Sequence, residues 1–253
     1  MSGTRVLLQS VGSWIALALV LAMAPAAARA EGFFDIYAGA AFPQDGNVRV
    51  KADDAFWNAP RSAVPPGAQY TSDVEWETSP SFGLRGGYWF EFEDFAPSFL
   101  GIGLDLSYYR AFEKDDFASL DMWFLPITPL LMLRIPLGYS EEFPGGRVQP
   151  YAAVGPGFTL AAAHAELSDL SSTGNVLDDF NDATLDVGLD VRAGLAVQLS
   201  HSFALFGEYR YTYIKPNFKD EVDDTGAVDF DTRFDIDPKV ATHHLVIGAS
   251  FRF

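Results

Sequence analysis

Charged side chains recur at every second position within several apolar stretches of this chain. Asp190 and Arg192 alternate with leucine and valine, and Glu208 and Arg210 alternate with tyrosine. An ion that is taken out of water is costly unless it is paired. The acids and bases at such positions predict a salt-bridge network inside the protein, and the alternative is that some of them lie near its ends in water. The seven candidates are Arg85, Asp105, Arg134, Asp190, Arg192, Glu208 and Arg210.

The four histidines were considered as candidates for catalysis. His201 precedes Ser202, the one adjacent His–Ser pair in the chain, and such a pair can activate a nucleophile. This pair falls in a very short turn, which favours a turn role, and His164, His243 and His244 are expected near strand ends. No phosphate-binding glycine loop and no metal-ligand spacing is present in the sequence. We therefore predict that the protein is not an enzyme and holds no cofactor or metal.

Two connecting segments are strongly acidic. Residues 215–239 contain eight carboxylates, and residues 165–183 contain five carboxylates without a basic residue. Clustered carboxylates could bind Ca²⁺. Asp229 and Asp231 do not continue as a calcium loop, because Arg233 stands where the next ligand is required. A solvated acidic rim is therefore favoured over a calcium site.

The N-terminal residues predict export. Arg5 precedes an apolar run, Trp14–Ala24, which is shorter than the roughly 20 residues that cross a bilayer as a helix. Small residues at Ala28 and Ala30 then fit a signal-peptidase site. We predict a cleaved signal peptide over residues 1–30 and one domain over residues 31–253, the alternative being an uncleaved anchor.

Composition excludes several classes of function. The chain has no cysteine, so it has no disulfide framework, thiolate metal site or cysteine nucleophile. Its formal net charge is −17, which makes it a poor partner for nucleic acid. Hydrophobic residues nevertheless make up 49% of the chain and aromatic residues 15%, so a large apolar surface must be buried in a core or against lipid.

Alternation with a period of two dominates the rest of the sequence and predicts β-strands. Leu185–Leu199 is the clearest case, with one face wholly apolar and the other small or charged. Two of the runs contain prolines, which have no backbone N–H to donate to a neighbouring strand, and this weakens the prediction of a strand there. The eight predicted strands are Phe33–Phe42, Ser81–Phe90, Phe99–Tyr109, Phe124–Leu137, Gln149–His164, Leu185–Leu199, Phe203–Ile214 and His243–Phe253.

The connections between these strands alternate in length. Short turns follow the even-numbered strands, whereas long segments follow the first, fifth and seventh, which is typical of an up-and-down barrel in an outer membrane. The alternation in residues 228–237 predicts a hairpin that extends the barrel wall. Residues 43–77 could hold another hairpin, which would make ten strands.

Three features favour a membrane barrel over a soluble one. The polar faces carry glycines and charges of both signs, as a narrow interior requires. Aromatic residues near strand ends predict the girdles of a membrane barrel. The chain ends on Phe253, with Phe251 on the same face. The predicted girdle residues are Phe33, Phe34, Phe42, Trp89, Phe90, Tyr108, Tyr109, Tyr151, Tyr211, Tyr213, Phe251 and Phe253.

On these features the sequence resembles the eight-stranded outer-membrane β-barrel family, which includes the OmpA-like transmembrane barrels. The resemblance covers residues 31–253. It is carried by Phe34–Ala40, Gln149–Gly157, Glu208–Tyr211 and Gly248–Phe253. It implies an all-β, antiparallel up-and-down transmembrane barrel of eight strands.

The resemblance also implies a location and partners. It places the protein in the cell outer membrane as a monomer, in contact with membrane lipid and lipopolysaccharide. It makes Phe251 and Phe253 an assembly signal for the barrel-assembly machinery. The leading functional expectation is a structural or surface-interaction barrel with a mostly plugged lumen. A small porin-like diffusion channel is the alternative, and an enzyme that modifies outer-membrane lipid is a remote one.

Overall fold

Twelve β-strands form the ordered framework of the residues described by this computed structural model. The described residues are 30–52, 69–90, 99–112, 119–143, 145–166, 180–216, 218–223 and 231–253. The strands are β1 (Ala30–Pro43), β2 (Gly46–Ala52), β3 (Gln69–Val74), β4 (Ser79–Phe90), β5 (Leu100–Phe112), β6 (Ser119–Arg134), β7 (Val148–Glu166), β8 (Phe180–Ser200), β9 (Phe203–Ile214), β10 (Phe218–Asp223), β11 (Asp231–Pro238) and β12 (Val240–Arg252). Within those ranges, no helix is long and apolar enough to cross a membrane.

Eight of these strands close into an antiparallel barrel in the order β1-β12-β9-β8-β7-β6-β5-β4. The first and last strands complete the ring, because β1 pairs with β12 from Phe33 opposite Arg252 to Pro43 opposite Thr242. The Gly32 and Phe253 backbones also exchange hydrogen bonds of 2.8 and 3.0 Å. A closed ring satisfies backbone groups without leaving a sheet edge in lipid. The predicted eight-stranded barrel is therefore confirmed.

The other four strands form a separate sheet in the order β10-β11-β2-β3. The hairpin β2–β3 does lie within residues 43–77, but it joins this second sheet, so the barrel keeps eight strands. The prediction for residues 228–237 is partly wrong. Residues 231–238 form one strand, β11, which makes a hairpin with β10 and pairs with β2 on its other side.

The connections give the barrel two different ends. At one end lie Ala30, Phe253 and the strand ends that are joined by the connections over residues 91–99, 135–147 and 201–202, and we call this the turn end. At the opposite end, which we call the loop end, lie the strand ends that are joined by the connections over residues 44–78, 113–118, 167–179 and 215–239. The second sheet is built from two of these loop-end connections.

Side chains alternate between the barrel interior and its outer surface. Along β9, Phe206, Glu208 and Arg210 are buried, whereas Leu205 and Tyr209 are exposed. The apolar face is the outer one, and Val187 and Ile247 are 64% and 75% exposed. A surface of this kind would be a liability in water, but it suits contact with lipid.

Four of the expected girdle aromatics lie inside the barrel. Phe33, Trp89, Tyr109 and Tyr151 are all buried. Their positions in the two-residue alternation point them inward, so their rings lie in the lumen, and the girdle interpretation is wrong for these four. Outward residues such as Phe34 and Phe251 remain exposed near strand ends.

Two prolines interrupt one seam of the barrel wall. The β6–β7 register runs through Ile127 opposite Phe158, and it resumes at Leu131 opposite Val154. That register places Pro129 opposite Pro156 in the gap. Neither proline has an N–H to donate, so the ladder is broken there although both strands continue.

The barrel interior as the candidate functional site

Seven charged side chains meet in the middle of the barrel. They project inward from β1, β4, β5, β8 and β9, and none of them is more than 4% exposed. Four are carboxylates and three are guanidinium groups, so the formal charge of the group is −1. We call it the central ion cluster: Asp35, Arg85, Asp105, Asp190, Arg192, Glu208 and Arg210.

Arg192 is the most firmly held base in the central ion cluster. Its Nε and Nη2 donate to the two carboxylate oxygens of Asp190 at 2.8 and 2.6 Å. Its Nη1 donates to Asp105 Oδ2 at 2.7 Å. Because Asp190 and Arg192 are two residues apart on β8, they share a face and form a two-pronged, charge-assisted pair.

Arg85 joins two other acids from β4. Its Nε donates to Asp35 Oδ2 at 2.8 Å, and its Nη1 donates to Glu208 Oε2 at 2.6 Å. The Tyr151 hydroxyl donates to the same Glu208 oxygen at 2.8 Å. Arg85 therefore links β1 to β9 across the lumen.

Arg210 is held less closely than the other two arginines of the central ion cluster. Its Nη2 lies 3.3 Å from Glu208 Oε1, and its Nη1 lies 3.6 Å from Asp105 Oδ1. Its guanidinium carbon lies 4.9 Å from the centre of the Tyr37 ring. The Tyr37 hydroxyl donates to both Asp105 oxygens at 2.8–2.9 Å. Within the described residues, Arg210 Nε has no hydrogen-bond partner.

The structure places six of the seven sequence candidates in the central ion cluster. Arg134 lies apart from it, towards the turn end, where it pairs with Glu31 at 2.6 Å. Asp35 and the hydroxyls of Tyr37 and Tyr151 were not among the candidates. Asp35 and Tyr37 could have been found from their shared face within Phe34–Ala40, whereas no local signal distinguished Tyr151.

An apolar layer of buried side chains lies in the lumen between the central ion cluster and the loop end. Tyr109 and Phe124 stack there with ring centres 4.9 Å apart. We call it the loop-end apolar layer: Ala41, Trp76, Tyr109, Ala111, Met122, Phe124, Ala161, Ala163, Ile214 and Val240.

His244 lies between these two layers. It is fully buried, its Nε2 is 3.1 Å from Thr212 Oγ1, and its ring centre lies 4.8 Å from that of Tyr109 with the two rings nearly perpendicular. The expectation of a rim histidine is therefore wrong for His244, because its inward position carries it into the packed lumen.

The comparisons with known proteins agree with this architecture. A family model described as "Outer membrane protein beta-barrel domain" matches residues 14–253. The chain belongs to this family. Comparison with curated protein sequences gives no match.

Solved structures of outer-membrane proteins share the fold. OprG from Pseudomonas aeruginosa matches with a TM-score of 0.51 and 18% identity, over 89% of this chain and 96% of that one. The protease OmpT from Escherichia coli matches with a TM-score of 0.50 and 8% identity, over 88% of this chain and 97% of that one. Identities this low show a common fold and nothing about activity.

Membership of the family places the chain in the outer membrane and orients its two ends. Outer-membrane barrels have short periplasmic turns and long extracellular loops. The turn end is therefore periplasmic, and the loop end, with its four-stranded sheet, is extracellular. The signal-peptide prediction falls on residues 1–30, of which the structure describes only Ala30.

The other two histidines whose side chains the structure describes, His201 and His243, lie apart from each other. His201 is exposed in the two-residue turn between β8 and β9. His243 is on the outer wall, where Nδ1 contacts the Tyr209 hydroxyl at 2.5 Å. The side chain of His164 and the acidic stretches over residues 167–179 and 224–230 lie outside the description. Among the described residues, no group of three or more potential metal ligands is found.

Proposed function

We propose that this protein is a structural, non-enzymatic outer-membrane barrel that presents its extracellular segments to partners and keeps its lumen closed. One observation supports the proposal: two successive layers of buried side chains lie in the lumen. The central ion cluster occupies the middle, and the loop-end apolar layer covers it on the extracellular side.

Each layer opposes the passage of solutes for a different reason. A passing ion would have to separate buried charges that are paired at 2.6–2.8 Å. Breaking such a pair exposes an uncompensated charge and is costly. In the loop-end apolar layer, the stacked Tyr109 and Phe124 rings cannot replace the hydrogen bonds that a hydrated solute makes with its water shell.

The extracellular sheet supports the presentation of a surface to partners. Its register pairs β2 with β11 from Val48 opposite Pro238 to Ala52 opposite Phe234, so the sheet joins two loop-end connections that lie far apart along the chain. The sheet ends on β3, and an edge strand is a common place for a partner to add a strand of its own.

Conductance in a planar lipid bilayer tests the closed lumen. Protein extracted from outer membranes should insert and remain silent. A variant that combines Glu208→Ala, Arg210→Ala and Phe124→Ala opens both layers while it removes one acid and one base, so we expect it to conduct in small steps. Phe124→Ala alone is the matched control, and it should stay silent because the central ion cluster remains.

A small diffusion channel is the second candidate, and the loose contacts of Arg210 favour it. If Arg210 swings from Glu208, the central layer opens without a change in the barrel wall. Reproducible open steps in the unaltered protein would replace the closed-lumen proposal with this one. Arg210 and Glu208 would then be the first gate residues to test.

We also expect the C-terminal residues to direct assembly. Phe253 is 76% exposed on the outer wall at the end of the closing strand. Phe253→Ala should lower the amount of barrel in the outer membrane several-fold, as measured by cell fractionation, because the assembly machinery loses its signal. Refolding in detergent should be unchanged. Ile247→Ala, at a comparably exposed site on the same strand, is the control, and an equal loss there would contradict a specific signal.

A further inference from the structure

His244 occupies the boundary between the central ion cluster and the loop-end apolar layer. On the loop-end side, its ring lies nearly perpendicular to that of Tyr109, and Tyr109 in turn stacks on Phe124. On the other side, the β12–β9 register places His244 directly opposite Arg210. Both side chains are fully buried in the lumen, and residues at facing positions of paired strands lie within reach of each other. His244 is therefore next to a residue of each layer.

Two buried nitrogens of this cross-strand pair have complementary hydrogen-bonding roles. Within the described residues, neither His244 Nδ1 nor Arg210 Nε has a hydrogen-bond partner. The other imidazole nitrogen, Nε2, lies 3.1 Å from Thr212 Oγ1. An arginine Nε can only donate, whereas one nitrogen of a neutral imidazole accepts. With its proton on Nε2, His244 can therefore accept from Arg210 Nε, either directly or through one water molecule.

Arg210 has the longest ion pairs of the three arginines in the central ion cluster, so a further contact matters most there. Its nearest carboxylate oxygen, on Glu208, is 3.3 Å away, whereas Arg85 and Arg192 each have one at 2.6 Å. A buried donor without a partner is destabilising. A hydrogen bond to His244 removes this cost and holds Arg210 in the closed arrangement.

Ionisable groups of both signs face His244 from the neighbouring strands. Its neighbour on β1 is Ala41, which does not titrate. Burial and the arginines oppose a charged imidazole, whereas the carboxylates favour one, but these carboxylates are already engaged by arginines. The facing groups are Asp105 and Tyr109 on β5, Asp190 and Arg192 on β8, and Glu208 and Arg210 on β9.

A proton on His244 would disturb both layers of the lumen. It turns Nδ1 from an acceptor into a donor, so Arg210 Nε loses its acceptor. It also sets two positive charges at facing positions, which is destabilising. The second N–H of the charged imidazole needs an acceptor of its own, and the stacked Tyr109 and Phe124 rings supply none. The ring must therefore leave its place against Tyr109, and water enters.

We propose that His244 is a proton-controlled latch of the lumen. In its neutral form it holds Arg210 in the central ion cluster, and the lumen stays closed. When it takes up a proton it releases Arg210, its ring leaves Tyr109, and both layers open to water. This latch presupposes the closed lumen proposed above and makes acid the condition that opens it.

Conductance in a planar lipid bilayer at two pH values tests the latch. We expect the inserted, unaltered protein to be silent at about pH 7.5 and to show small steps at about pH 4, well below the range near pH 6.5 in which a free imidazole takes up its proton. His244→Gln keeps an acceptor without a basic nitrogen, so it should stay silent at both pH values. His243→Gln is the matched control, because His243 lies on the outer wall, and it should open in acid as the unaltered protein does.

The outcomes separate the latch from the closed lumen. Silence of the unaltered protein at both pH values would overturn the latch and leave the closed lumen standing. Steps at neutral pH would overturn the closed lumen and the latch with it. Equal steps in acid for the unaltered protein and His244→Gln would assign the response to the carboxylates of the central ion cluster and overturn the latch.

Nitrogen NMR of the histidine-labelled protein in lipid vesicles tests His244 without replacing it, which covers a failure of His244→Gln to fold. The His244 signals are assigned by replacing each of the other three histidines in turn. At neutral pH we expect a neutral imidazole with its proton on Nε2. At the pH where conductance steps appear, we expect both ring nitrogens to be protonated. A His244 ring that is still neutral at that pH would overturn the latch.

Discussion

Arg192→Met is expected to lower the free energy of unfolding by about 3–5 kcal/mol, the usual cost of removing one partner from a buried ion pair. Methionine fills a similar space, so the loss reflects charge rather than a cavity. Asp190 and Asp105 lose their closest base, at 2.6 and 2.7 Å. The central ion cluster already has more acids than bases, so the remaining two arginines cannot neutralise both of these carboxylates.

Urea unfolding of the protein in lipid vesicles measures this loss. Arg110→Met is the matched control, because Arg110 pairs with Asp121 on the exposed outer wall and such pairs contribute about 0–1 kcal/mol. Adding Asp190→Asn to Arg192→Met removes one stranded charge and should recover part of the stability. Equal, small losses for both arginines would mean that the cluster is wetted rather than packed.

The positions of the barrel strands could be predicted from the sequence because alternation is a local property of an extended chain. Leu185–Leu199 was predicted, and β8 runs over Phe180–Ser200. The same alternation assigned Glu208 and Arg210 to the inner face of β9, where they are buried. Such assignments need no knowledge of which strand lies next to which.

The pairing of charges inside the barrel could not be predicted in the same way. Arg134 and Arg85 both point inward, yet Arg134 meets Glu31 near the periplasmic end and Arg85 meets Glu208 in the middle. The height of a residue in the lumen depends on the tilt and stagger of the strands. Those quantities arise from the closed register of all eight strands, which no single segment contains.

Aromatic residues were misassigned for a related reason. Phe33 and Phe34 are neighbours in sequence, but one is buried in the lumen and the other is exposed on the wall. Proximity to a strand end predicts a girdle residue only when the side chain also lies on the outer face. The extracellular sheet was beyond prediction because β11 pairs with β2, which is nearly two hundred residues away along the chain.

Gly155→Ala is expected to destabilise the barrel strongly because a neighbouring backbone approaches this residue very closely. A Cβ at Gly155 would lie 1.9 Å from the carbonyl oxygen of Pro129 and 3.0 Å from its carbonyl carbon. Relief requires movement of the β6 backbone rather than of a side chain. Overpacking of this kind costs about 1–3 kcal/mol and sometimes more.

Gly207→Ala is the matched control, since an added Cβ there meets nothing within 4 Å on the outer face of β9. We expect its unfolding free energy to change by less than about 0.5 kcal/mol, the usual range for a surface substitution. The two variants add the same methyl group to a barrel strand, so a difference in urea midpoint isolates the close approach of β6 and β7. Because Pro129 and Pro156 already break the ladder at this seam, the two strands have few local hydrogen bonds to hold them together once they are pushed apart. If Gly155→Ala unfolds at the same urea concentration as Gly207→Ala, the seam yields to the added methyl group, and tight contact between β6 and β7 at Gly155 does not contribute to barrel stability.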